Sequence, residues 1–498
     1  MDFDVILRGG QILDGTGRER FAADVGIKDG RLAAIGDLSQ GRAKEELNVS
    51  GLFVAPGFID LHSHGDWSIL EGPWDDHRER QGITTELGGN CGSSPVHLDR
   101  HFQAVEEKGL ATNYALLVGH GSVRKEVMGR ENRPPTRDEL KAMEYLVAEA
   151  MEAGAFGLST GLIYEPGRYA ATEEILYLVK VVRQYGGTYN THMRSESDTI
   201  LEALEEAMYI SASGDVPLEV SHIKVILPRN WGKGEQMIEM IEAKRRRGLD
   251  ITADLYPYTV TGGGFYGPAN FLPSWKEGGW EGFRAVYDSA TGRRALAEQV
   301  QGVLMERGGA EYFTVIATEN GSASEALGLT LPELADRWGL SPAEALLKLI
   351  DAEEGKVVLA FAALNEAELE SFLLVPWSMI GTDGTAKSRH PRARGTYPRV
   401  LGEYVREKGL LTWEEAVRKM TSLPAQRLGL VDRGIIAEGK WADLTIFDPK
   451  TVRDRATYLE PELRPAGIIH VLVNGELVVR DGQSTGKRPG RVLRRGRR

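Results

Sequence analysis

The chain has 498 residues, enough to bury a large core and more than one domain usually holds, so a large domain with a smaller companion is expected. Its 42% hydrophobic and 27% charged residues fit a globular protein, and a net charge of −12 argues against nucleic acid as a partner. A single cysteine excludes an internal disulfide framework and suits a reducing, cytoplasmic setting; no stretch approaches the roughly 20 apolar residues of a membrane helix.

Residues 1–54 read as short strands broken by turns, as in "DVILRGGQILDG" and "DVGIKDGRLAAIGD". The N-terminal acidic residues and lack of a long apolar run do not resemble a signal peptide. Residues 426–498 repeat the strand-and-turn texture, and Asn474-Gly475 between two apolar runs predicts a hairpin. The two ends are expected to meet in one small sheet domain. The closing run "GKRPGRVLRRGRR" reads as a solvated basic tail.

The segment between them, 55–425, alternates differently. Short apolar runs end at "GFIDLHSH", "TTELGGNC", "YALLVGH", "AFGLSTG", "TYNTHMR", "PLEVSHIK", "ITADLYPY" and "WSMIGTDG". Amphipathic stretches such as "TRDELKAMEYLVAEAMEAG" and "TILEALEEAMYISASG" separate most of them. Eight β-α units of this kind predict an α/β fold, a closed parallel (β/α)8 TIM-like barrel. An insertion at about 262–376 separates the last two strands and carries its own helices, one of them capped by Ser341 before Pro342.

Strand ends of a parallel barrel converge on one face, where active sites are built. His62, His64, Cys91, His120, His192, His222, Asp254 and Asp383 all fall at or beside the predicted strand ends. His62 and His64, two apart, would project to the same side. Neutral imidazole is the commonest metal ligand, and a His-rich set with one thiolate and one carboxylate suits zinc better than Mg²⁺ or Ca²⁺. Cys91 also admits readings as a small buried hydrophobe or as a nucleophile. Its polar, glycine-rich surroundings favour a metal ligand, with the glycines letting backbone pass close to the metal. Asp254 reads mainly as a turn residue beside "LYPY", and His120 as a pocket or bracing residue.

"APGFIDLHSH", "GTDG" and the closing "GIIAEGKWADLTIFDP" resemble the amidohydrolase superfamily. More narrowly, "GITTELGGNCGSSPV", "GLSTGLIYEPGRYA", "YNTHMRSESD", "EVSHIK", "GLDITADLYPYT" and "RHPRARGTYPRVL" resemble the N-acyl-D-amino-acid deacylases, or D-aminoacylases, over essentially the whole chain. The resemblance implies a small β-sandwich domain from the two chain ends. It also implies hydrolysis of the amide of an N-acyl-D-amino acid to a carboxylate and a free D-amino acid. Many superfamily members bridge two metals with a carboxylated lysine on the fourth strand; here that strand, "GLSTG", has none, and Cys91 matches the cysteine that replaces it.

The implied site is a tight zinc at Cys91, His192 and His222 and a second, weaker one at His62 and His64, with Asp383 as general base and acid. Tyr164, Lys224, Tyr256 and Arg392 are the implied substrate contacts, Lys224 and Arg392 being cations suited to a carboxylate. Relatives are expected to carry hydroxyl residues where this chain reads "VTGGGFYGPAN", which leaves a part for Thr261 open. The partner is then a small molecule, with no nucleic acid or membrane, and the oligomeric state is not indicated. A cyclic-amide hydrolase of the hydantoinase or dihydroorotase kind is the alternative within enzymes, and a scaffold without activity the alternative outside them.

Overall fold

A computed structural model describes residues 2–66, 68–71 and 76–496. Met1 and the last two residues of the basic run lie outside them. The two chain ends meet in one nine-stranded sheet. Phe53–Pro56 pairs antiparallel with Leu444–Phe447, in the register Phe53↔Phe447 to Pro56↔Leu444, so strands from either end of the sequence are neighbours. Asn474 and Gly475 take left-handed backbone, φ +49° and +86°, and turn Ile468–Val473 into Glu476–Arg480 as a hairpin. A core including Val25, Ile27, Val54, Leu444 and Leu472 joins both ends.

All eight apolar runs of the central segment contain strands. We number them β1 (Phe58–Asp60), β2 (Ile83–Gly88), β3 (Asn113–Leu116), β4 (Gly157–Gly161), β5 (Thr188–His192), β6 (Leu218–Val220), β7 (Ile251–Leu255) and β8 (Ser378–Ile380). β1, β2 and β3 form one parallel sheet. Val118–Gly119, just after β3, joins β4 to β8 in a second parallel sheet. Two links run between the sheets: Phe156 N–H donates to Leu116 carbonyl at 2.8 Å, and Ser63 bridges Gly384 in parallel. The predicted helix after "TR" spans Arg137–Ala153, with Thr136 and Glu139 in a reciprocal capping box and Gly154 (φ +112°) ending it.

The insertion contains strands as well as helices. Val260–Tyr266, Phe313–Thr318 and Val357–Ala362 form an antiparallel sheet with its own core of Phe271, Phe283, Val300, Phe313 and Leu346. Ser341 caps Pro342–Ala352, as its sequence predicts.

The basic tail departs from expectation in its backbone, which through Arg495 is tied to the central segment while Lys487, Arg488 and Arg491 stay exposed. Tyr114 N–H donates to Arg491 carbonyl at 2.9 Å, Leu493 N–H to Tyr114 carbonyl at 2.7 Å and Arg495 N–H to Gly154 carbonyl at 3.0 Å. A Cβ on Gly490 would sit 2.1 Å from Thr112 carbonyl oxygen, so glycine permits this approach. Backbone pairing to β3 and an Arg494–Glu106 ion pair at 2.7 Å hold the run down despite its charge.

Candidate active site

β1 stops at Asp60, so His62 and His64 stand in the turn after the strand rather than on it. Asp383 N–H donates to His62 carbonyl at 2.7 Å and His64 N–H to Gly384 carbonyl at 2.9 Å, lacing this turn to the segment after β8. Cys91 follows β2, His192 ends β5, and His222 and Asp383 come just after β6 and β8. Cys91, His222 and Asp383 have φ of +53°, +38° and +47°. Left-handed backbone at non-glycine residues is uncommon and persists only where packing imposes it, which is a mark of functional sites.

The glycines around Cys91 permit close backbone packing. A Cβ on Gly89 would lie 2.2 Å from Leu117 carbonyl oxygen, and one on Gly92 2.7 Å from Gly161 nitrogen. They let the Cys91 loop press against the backbone of β3 and β4, not against ligand atoms. Ser159 on β4 locks that loop: its hydroxyl accepts from Gly92 N–H at 3.0 Å and donates to Gly89 carbonyl at 2.5 Å.

The metal-type donors converge. Cys91 Sγ lies 3.3 Å from His62 Nε2 and 3.4 Å from His222 Nε2. Three donor sets have their atoms within 4.8 Å of one another: His62, His64 and Cys91; Cys91, His192 and His222; and His62, His222 and Asp383. Two buried carboxylates orient the rings. Asp254 Oδ2 is 3.1 Å from His62 Nδ1, and Glu196 Oε1 is 3.1 Å from His222 Nδ1. If His62 Nδ1 carries the proton, its Nε2 lone pair faces the thiolate, as metal-binding histidines are held, while His222 Nδ1 also lies 2.8 Å from the Lys224 ammonium, which only donates. Both ring nitrogens of His192 are buried without a hydrogen-bond partner among the described residues. Such orphaned donors are costly unless an ion meets them, so the set fits a borderline-soft divalent cation. Burial pushes the Cys91 thiol up, but His62 and His222 outweigh it and hold it well below the ordinary thiol value.

Asp383 stands beside this cluster, Oδ1 3.1 Å from His64 Nε2 and Oδ2 2.8 Å from Arg392 Nη1. Burial raises its pKa, and Arg392 with His64 overcomes that and holds the carboxyl well below the usual range. A cavity of about 600 Å³ opens on the cluster, lined by His64, Cys91, Asp383, Tyr164, Tyr256 and Arg392 among others. That size suits a small ligand. The Tyr256 hydroxyl is buried in this wall without a hydrogen-bond partner among the described residues, and the Tyr164 ring packs edge-on to His192 at 4.8 Å. Thr261 also lines the cavity. Arg392 is buried, not on the surface, and its guanidinium lies 4.5 Å from the Tyr256 ring centre. Lys224 is already engaged: its Nζ donates to Glu196 at 2.5 Å and to His222 carbonyl at 2.9 Å.

Asp254 is more than a turn residue, since its other oxygen accepts from His222 main-chain N–H at 2.9 Å. His120 is fully buried against Glu174, Nε2 to Oε1 2.8 Å, and Glu174 in turn meets Arg124. It braces the segment after β3 and is no part of the donor cluster. Glu196 and Ser159 went unnoticed in the sequence. Both sit inside distinctive segments, "THMRSESD" and "GLSTG", yet a lone Glu or Ser there has no periodicity or spacing to single it out.

Comparison with known proteins places the chain in a family. The model of the amidohydrolase family matches residues 45–275 and 373–479. The chain is 36% identical over 516 residues to N-acyl-D-glutamate deacylase of Alcaligenes xylosoxydans xylosoxydans, covering 99% of this chain and 96% of that one. Its structure is similar to a crystal structure of N-acyl-D-glutamate deacylase from Bordetella bronchiseptica, complexed with zinc and a phosphonate inhibitor that mimics the tetrahedral intermediate. That match has TM-score 0.80 and 34% identity over 99% of this chain and 100% of that one. A D-aminoacylase solved for the role of its binuclear metal centre, with one-metal activation and second-metal attenuation, matches at TM-score 0.79 and 34% identity, covering 99% and 100%. With its donors gathered around one thiol and its full length matched at this identity, the chain belongs to the amidohydrolase family, in its D-aminoacylase group.

Proposed function

We propose that the protein is a zinc-dependent hydrolase that cleaves the amide of N-acyl-D-amino acids to a carboxylate and a free D-amino acid. The observation that carries the reading is the joint placement of Cys91 Sγ 3.3 and 3.4 Å from two imidazole nitrogens, with Asp383 3.1 Å from His64. Cys91, His192 and His222 would hold the tight zinc, and His62 and His64, with Cys91 shared, a weaker second one. Zinc there lowers the pKa of water towards neutrality and polarises an amide carbonyl.

The chain's own groups do the rest. Asp383 Oδ1 takes a proton from the water that attacks the acyl carbon. As the C–N bond breaks, it returns that proton to the departing amine nitrogen. Arg392 keeps Asp383 ionised before attack and faces the substrate carboxylate, and the unpartnered Tyr256 hydroxyl donates to an acceptor on the bound substrate. Lys224 acts from one layer back, holding Glu196 and through it His222. Tyr164 shields the mouth of the cavity.

The two parallel sheets, joined at Leu116–Phe156 and Ser63–Gly384, support one closed (β/α)8 barrel over 55–425. The shared core of 1–54 and 426–498 supports a β-sandwich built from both ends. The insertion at about 262–376, with its own core, forms one wall of the cavity. No helix among the described residues is long and apolar enough to cross a membrane. A single cysteine with no partner for an internal disulfide suits a reducing compartment, which supports a cytoplasmic setting.

Paired assays test the reading. The zinc-loaded protein should hydrolyse N-acetyl-D-amino acids and leave their L forms and cyclic hydantoins intact. Activity confined to L forms or to cyclic imides overturns it, and so does a fully folded protein that takes up no zinc.

A further inference from the structure

Four cationic side chains line the cavity: Lys224, Arg307, Lys387 and Arg392. Three are answered by carboxylates. Lys224 meets Glu196 at 2.5 Å, Lys387 meets Glu71 at 2.6 Å and Arg392 meets Asp383 at 2.8 Å. Arg307 pairs with no carboxylate among the described residues, and its Nε is buried without a hydrogen-bond partner. A guanidinium stays charged at any physiological pH; that of Arg307 is half-buried with its Nε cut off from water, so a ligand that answers Nε removes a polar group left unpaired.

The position of Arg307 is set by the fold. It ends the helix Ala290–Glu306, and Arg229 donates to Glu306 carbonyl at 2.6 Å, tying that helix end to the loop after β6. Gly308 follows with φ +103°, and a Cβ there would lie 2.5 Å from Pro228, so the turn can only be this tight with glycine. The guanidinium lies 5.8 Å from the Tyr266 ring centre, and Tyr266 meets Phe361 edge-on at 5.5 Å. Both rings line the same cavity. An aromatic wall carrying a single free guanidinium suits an aliphatic chain that ends in a carboxylate, which Arg can bind with two parallel hydrogen bonds.

We infer that Arg307 selects the substrate side chain, binding the side-chain carboxylate of an acidic N-acyl-D-amino acid while Arg392, on the segment after β8, faces the α-carboxylate. The inference rests on the deacylase reading and goes past it by naming the side-chain class and the residue that chooses it. The segment after Asp383 also carries the cations Lys387, Arg389 and Arg394 besides Arg392. Of these, Lys387 and Arg389 are exposed and Arg394 is paired with Glu462 at 2.7 Å.

The test compares each acid with its isosteric amide, N-acetyl-D-glutamate with N-acetyl-D-glutamine and N-acetyl-D-aspartate with N-acetyl-D-asparagine, on the zinc-loaded enzyme. The wild type should favour one acid over its amide. Arg307→Met should lower kcat/KM for that acid by about 10- to 100-fold, the loss expected for a charge-assisted pair, and change the amide less than about threefold. Arg307→Lys should recover part of the loss. Activity of Arg307→Met on the amide is its own control for folding. An acid cleaved no better than its amide, or equal losses on both in Arg307→Met, overturns the assignment while the deacylase reading stands. Hydrolysis of none of the four, nor of any neutral N-acetyl-D-amino acid, overturns both.

Discussion

Asp254→Asn is the sharpest probe of how the imidazoles are held. The side chain is 1% exposed, and its two oxygens accept from His62 Nδ1 at 3.1 Å and from His222 main-chain N–H at 2.9 Å. Asparagine keeps the shape but replaces one oxygen by an NH₂ group. If its oxygen stays on His222, the amide nitrogen faces His62 Nδ1, which must then accept. The ring proton moves to Nε2, the atom 3.3 Å from Cys91 Sγ, and the lone pair meant for a metal is gone. A lost hydrogen bond to a charged group costs about 1.5–3 kcal/mol, or about 10- to 150-fold in affinity. That range agrees with the 10- to 100-fold typical of changes just behind a metal ligand. Competition with a chelator should show zinc affinity weaker by that factor, and kcat/KM should fall at least as far, while the melting temperature moves by only a few degrees. A variant that binds zinc within about twofold of wild type and keeps full activity would refute the assigned His62 tautomer.

The other expectations are simpler. Asp383→Asn should retain zinc and lower kcat by about 10²- to 10⁴-fold, the usual worth of a positioned proton carrier; a loss under tenfold would remove Asp383 from that role. Ser159→Val strips the Cys91 loop of both its hydrogen bonds, leaving Gly92 N–H and Gly89 carbonyl unanswered at about 1–3 kcal/mol each. Thermal melting and zinc content should both drop, and an unchanged zinc content would show that the loop is held by other means. Removing residues 487–498 should lower the melting temperature, because β3 loses the backbone pairing of Tyr114 to Arg491 and Leu493; identical melting would mean that this strap contributes nothing.

The candidate site residues were legible in the sequence because strand ends of a parallel sheet must meet, and His62, His64, Cys91, His192, His222 and Asp383 all stand at or just past strand ends. The groups behind them were not. Glu196 touches His222 and Lys224 only because the loop after β5 folds over the end of β6, and Asp254 reaches His62 across the gap between β7 and β1. Nothing local distinguishes such carboxylates from turn residues. The tail was read only in part for a related reason: its charge predicts exposed side chains, which Lys487, Arg488 and Arg491 have, but not the pairing of its open backbone groups with β3.

The order of short apolar runs, their polar ends and the hairpin at Asn474-Gly475 were therefore determined by sequence alone, since periodicity and turn chemistry act between near neighbours. Which cation is left unanswered in the cavity was decided only by the tertiary structure. Lys224 finds Glu196 on the loop after another strand, Arg392 turns back on Asp383 in its own segment, and Arg307 pairs with no carboxylate among the described residues, an outcome set by distances that no local pattern encodes.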